Sequence, residues 1–93
     1  MTLNDCRRNI DEINFEILKL LNERARWALE IGKLKKLKGI PNHDPLREEE
    51  ILKEMQAKNQ GPLGKEAVKR IFKLILEECR KLETDRYTNK AEG

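Results

Sequence analysis

Apolar residues recur along the first third of the chain in a steady rhythm. Leu3, Cys6, Ile10, Ile13, Ile17, Leu20, Arg24, Trp27, Ile31 and Leu34 follow one another at intervals of 3, 4, 3, 4, 3, 4, 3, 4 and 3. That is the heptad spacing of a helix that packs along one seam. The positions between are largely Asp, Glu, Lys, Arg and Asn, and one seam position, Arg24, is charged. No Gly or Pro interrupts the stretch from Leu3 to Ile31, whereas Gly39 and Pro41 stop it. A first helix is predicted over 3–38.

Two more helices follow, over 45–58 and 65–87. The punctuation is Gly39–Pro45 and Asn59–Gly64, each with Gly and Pro close together. Asp44 is a good N-cap and Pro45 suits the first helical position. Ile51, Leu52 and Met55 form a narrow apolar face on the second helix. Val68, Ile71, Phe72, Ile75, Leu76, Cys79 and Leu82 form a broad one on the third. The polar tail from Thr88 to Gly93 is expected to fray.

The length of the first helix bears on assembly. About 35 residues at 1.5 Å each make ~50 Å, whereas a compact chain of this size has a radius of gyration near ~12 Å. The helix must protrude, and its apolar seam with it. The expectation is an all-α fold of three helices per chain, paired as a homodimer in which two long helices share one core. A monomer with a broken first helix is the alternative.

Composition narrows the function. Of the 93 residues 38% are hydrophobic and 40% charged, with no run that approaches a membrane span. A net charge of +3 does not call for nucleic acid. The two cysteines lack zinc-ligand spacing. Asp5, Arg7 and Arg8 interrupt any apolar signal core, so the expected location is cytoplasmic with both thiols reduced.

The candidate chemistry lies where polar groups interrupt apolar faces. An inward Arg24 stays charged and needs an anion, or else serves as a register device in a coiled coil. Lys35 lies eleven residues on, within ~20° of the same face and ~16 Å along it. By itself it reads as part of the solvated run Lys33–Lys38. Glu48 sits one turn before Ile51 and Leu52, or complements the helix dipole. Cys79 and Glu83 continue the apolar stripe of the third helix, where Cys79 also suits a small core residue. Arg7 is rotated ~100° from Arg24 and ~25 Å away along the helix. It either pairs with Asp11 or serves a partner's site.

These residues resemble the all-helical class of chorismate mutase over nearly the whole chain. The resemblance is carried by Cys6-Arg7, Ile10-Asp11-Glu12-Ile13-Asn14, Leu20-Leu21-Asn22-Glu23-Arg24 and Glu30-Ile31-Gly32-Lys33-Leu34-Lys35. Asp44-Pro45-Leu46-Arg47-Glu48-Glu49 and Ile71-Phe72-Lys73-Leu74-Ile75-Leu76-Glu77 complete it. It implies a single domain over 1–93, an intertwined homodimer with two equivalent sites, and conversion of chorismate to prephenate. That reaction is a pericyclic rearrangement, so no cofactor or metal is expected.

By position, the resemblance implies that Arg24 and the partner subunit's Arg7 bind the substrate carboxylates. Lys35 would contact a carboxylate and the ether oxygen. Arg47 would organise the site, Glu48 would accept from the ring hydroxyl, and the backbone N–H of Asp44 would contact the same group. Ile31 and Leu76 would be apolar walls. Cys79 stands where the family often has a small polar residue. Glu83 stands where a Gln is frequent, as second donor to the ether oxygen, and a carboxyl donates only when protonated.

Three other readings compete. One is isochorismate–pyruvate lysis on the same fold. Another is a regulatory domain that partners a shikimate-pathway enzyme non-covalently. The third is a non-catalytic helical module for dimerisation or nucleic acid, which the Lys33–Lys38 run supports but no aromatic platform accompanies.

Overall fold

A computed structural model of the chain describes residues 1–87. It has three helices, α1 (Leu3–Lys38), α2 (Pro45–Lys58) and α3 (Lys65–Tyr87). The expected boundaries hold at every end. The tail 88–93 lies outside the described residues.

Local chemistry explains the ends. Thr2 caps α1 in a capping box: its hydroxyl accepts from the Asp5 N–H at 3.1 Å, and the Asp5 carboxylate accepts from the Thr2 N–H at 2.9 Å. Hydrogen bonding to the carboxyl from the Thr2 backbone N–H, and then from its side chain, holds Asp5 below its ordinary value. Gly39 closes α1 with φ of 69°, a left-handed conformation that a residue with a Cβ adopts at a cost. The N–H of Ile40 then reaches the Lys35 carbonyl at 2.9 Å, and that of Gly39 reaches Lys36 at 3.3 Å. This pair of bonds is a Schellman cap, and it pins the backbone at Lys35. Asp44 caps α2, its carboxylate accepting from the Arg47 N–H at 3.1 Å.

The short connection 59–64 folds α2 back beside α3, and α3 packs against both other helices. The core is slight: Ala28, Val68, Leu76 and Cys79 are the buried apolar residues among those described. Ile71, expected in the apolar stripe of α3, is 48% exposed. Both cysteines are free, Cys6 exposed and Cys79 buried.

The outline is long and thin, 54 × 28 × 17 Å with a radius of gyration of 16.6 Å. A compact chain of this length would give ~12 Å. The excess comes from the N-terminal half of α1, where residues 6–22 are all exposed. Ile10 and Ile13 are more than half exposed and Leu20 is 60% exposed. No helix among the described residues is long and apolar enough to cross a membrane.

Candidate active site

Where the C-terminal half of α1 and the start of α2 both flank α3, the helices line an open cavity of about 260 Å³. It is a small pocket, near the lower end of the range for small-molecule sites. α1 contributes Arg24, Ile31 and Lys35; the linker and α2 contribute Asp44, Arg47 and Glu48; α3 contributes Leu76, Cys79 and Glu83. Nine of the ten residues singled out from the sequence therefore converge on one space. The tenth, Arg7, is exposed near the far end of α1 and does not line it. Nor does Arg7 pair with Asp11: among the described residues it makes no ion pair.

The charges around the cavity divide into paired and unpaired. Arg47 Nη1 meets the Glu50 carboxylate at 2.9 Å, on the exposed side of α2. Arg80 Nη1 lies 2.8 Å from each oxygen of Glu48. Arg24 and Lys35 have no carboxylate within ion-pair distance among the described residues. Both are only half exposed. Two cations held by one rigid helix and facing a small cavity favour an anion with more than one negative group. Each contact of ~4 Å in such a partly screened setting is worth up to ~4 kcal/mol before desolvation is subtracted.

Lys35 is held at both ends. Its backbone carbonyl accepts in the Schellman cap, and its Nζ donates to the Asn42 carbonyl oxygen at 2.9 Å. The Asn42 side chain donates to the Thr84 hydroxyl at 2.9 Å and to the Arg80 carbonyl at 3.4 Å. The linker therefore ties the ammonium on α1 to the backbone of α3.

Glu83 is 9% exposed, the one buried charged residue among those described. Burial pushes its carboxyl above the ordinary value, and the facing Lys35, then Arg24, oppose that. Glu48 raises it further and Arg80 lowers it. Burial wins over the two nearest cations, so the group holds its proton more tightly than a solvated Glu. Gly32 permits this packing. A Cβ there would stand 3.0 Å from the Tyr87 ring and 3.3 Å from Cβ and Cγ of Glu83.

Two polar cavity residues were not singled out from the sequence. Arg80 carried a signal: it lies one turn after Leu76 and three residues before Glu83, on the same face of α3. Asn42 carried none, because its position depends on the path of the linker.

The comparisons with known proteins agree with one another. The family model for chorismate mutase type II matches residues 6–84. The chain is 45% identical over 73 residues to a bifunctional chorismate mutase/prephenate dehydratase of Neisseria gonorrhoeae, covering 78% of this chain and 20% of that one. It is 40% identical over 85 residues to a protein of the same description from Aquifex aeolicus, covering 87% and 24%. The chain thus spans a fifth to a quarter of the length of these relatives. Among solved structures, the chorismate mutase (form II) of Thermus thermophilus superposes with a TM-score of 0.86 at 42% identity. That match covers 87% of this chain and 92% of the other.

Proposed function

The chain belongs to the chorismate mutase type II family, and from that premise we propose that it converts chorismate to prephenate. The observation that carries this reading is the pair of cations without a carboxylate partner, Arg24 and Lys35, facing a cavity of about 260 Å³ beside a buried Glu83. Chorismate is a dianion of suitable size. Its [3,3] rearrangement breaks a C–O bond while a C–C bond forms, and negative charge grows on the ether oxygen.

Arg24 and Arg7 of the partner subunit hold the two carboxylates and keep the flexible substrate in its compact reactive shape. Lys35 and protonated Glu83 donate to the ether oxygen. Donors fixed before the reaction stabilise the developing charge without rearranging, which is electrostatic preorganisation. Glu48 and the Asp44 N–H hold the ring hydroxyl, Arg47 organises the α2 side, and Ile31, Leu76 and Cys79 wall the site.

The working form is an intertwined homodimer, with residues 1–93 as one domain. The exposed seam of α1 supports this, since a second copy would cover it. Complete burial of each large apolar side chain contributes ~1.5–3 kcal/mol. The reading places the protein in the cytoplasm. The relatives' description as bifunctional mutase and dehydratase supports a pathway enzyme as a non-covalent partner.

The test is incubation with chorismate, following the loss of its absorbance and identifying the product. Prephenate above the uncatalysed rate is expected. Absence of prephenate, or pyruvate released from isochorismate instead, would sink the reading.

A further inference from the structure

Arg80 has no part in the roles above, yet it lines the same cavity. Its Nη1 stands 2.8 Å from both Oε1 and Oε2 of Glu48. The two side chains are 29% and 25% exposed and belong to different helices, α3 and α2. An equal hold on both oxygens points the axis of the carboxylate at the guanidinium. The lone pairs that face Arg80 are occupied, and each oxygen keeps one for another donor. Charge-assisted bonds of this kind are short and directional. The imidazole Nε2 of His43 stands 3.8 Å from Oε1, beyond hydrogen-bond distance.

The charge of Arg80 is also spoken for. Arg24 and Lys35 already offer two unpaired cations to a dianion, while Arg80 and Glu48 together add none. The pair's contribution is therefore direction. On α3 the Arg80 backbone is fixed from the linker side as well, since the Asn42 amide donates to its carbonyl at 3.4 Å.

We propose that Arg80 is a positioning residue that makes the site selective for a ring hydroxyl, by holding Glu48 so that its remaining acceptor direction faces the cavity. The inference rests on the reading that Glu48 receives the hydroxyl of chorismate. Without Arg80, Glu48 keeps its charge and loses its fixed direction. The hydroxyl then meets a mobile acceptor, and a substrate lacking that hydroxyl is no longer at a disadvantage.

The experiment compares kcat/KM for chorismate and for its analogue without the ring hydroxyl. The proteins are wild type, Arg80→Lys, Arg80→Ala, Glu48→Gln and the double variant Glu48→Gln/Arg80→Ala. In Arg80→Ala the preference for chorismate should shrink by about tenfold or more, the usual effect of losing one hydrogen bond to a charged group. Arg80→Lys, which keeps the charge on a differently shaped and more flexible side chain, should fall between. On the Glu48→Gln background, removing Arg80 should change the preference by less than about twofold, because the two residues act as one unit. Equal losses on both substrates in Arg80→Ala, or an undiminished effect in the Glu48→Gln background, would overturn the proposal. If Arg80→Ala does not fold, Arg80→Lys and the charge-balanced double variant decide on the same ratio. A wild type that makes no prephenate overturns the function reading and this inference together. Normal wild-type turnover with an unchanged preference in every Arg80 variant overturns this inference alone.

Discussion

The ammonium of Lys35 donates to the backbone carbonyl of Asn42 at 2.9 Å, so the cation that faces the cavity is aimed by the linker and not by its own helix. The Asn42 side chain in turn grips Thr84 and the Arg80 carbonyl. Asn42→Ala keeps the carbonyl that holds Lys35 and removes the grip on α3. It should lower kcat/KM about fivefold to tenfold and cost ~1 kcal/mol of stability, the usual net value of such a bond. Thr84→Val should act in the same direction, and the double variant should be little worse than either single one. Additive losses would mean that the two residues do not act as one anchor.

Arg7 tests the shared site. Arg7→Ala and Arg24→Ala should each be nearly inactive alone. After subunit exchange, heterodimers place both lesions in one site and leave the other intact, so activity should return toward half the wild-type value per heterodimer. Light scattering on the same samples should give about twice the chain mass. No recovery after verified exchange would confine Arg7 to its own subunit or remove it from the site.

Glu83 predicts an alkaline limb. In the donor role proposed for Glu83 only the protonated carboxyl can act, and burial raises its value above that of a solvated Glu. Activity should fall as pH rises through the value of Glu83 in the relevant complex. Glu83→Gln supplies a permanent donor of similar shape and should flatten that limb, while Glu83→Ala should lose activity throughout. The profiles of kcat and kcat/KM report the bound and free enzyme respectively. Stability follows the same sign. A carboxyl raised in the folded state favours folding below its unfolded value, and that contribution is lost as pH rises through the folded value. Glu83→Gln should remove this slope from the thermal midpoint. A limb shared by wild type and Glu83→Gln would take Glu83 out of the donor role.

Gly32→Ala tests the close approach of α1 and α3. Helix propensity favours Ala by ~1 kcal/mol, but the added Cβ meets Glu83 at 3.3 Å and Tyr87 at 3.0 Å. Overpacking of this kind costs ~1–3 kcal/mol. The thermal midpoint should stay level or drop slightly. Turnover should fall more than stability does, because the displaced side chain is the proposed donor. Full turnover in a folded Gly32→Ala protein would show that the position of Glu83 is not sensitive to this packing.

The helices and their ends belong to the sequence alone. Heptad spacing, the Asp44-Pro45 start and the Gly39 stop act over a turn or two, within reach of local pattern. So do the inward cations: Arg24 and Lys35 share a helical face whatever packs against it. Tertiary structure decided what lies across the cavity from them. The pairing of Glu48 with Arg80 joins residues 32 positions apart on different helices, and no periodicity within either helix specifies it. The aim of Lys35 depends on where the linker places one carbonyl oxygen. The proton affinity of Glu83 is a balance between burial and four neighbouring charges drawn from all three helices. A sequence shows that those opposing influences exist. Their distances, and therefore the winner, exist only once α1, α2 and α3 are packed.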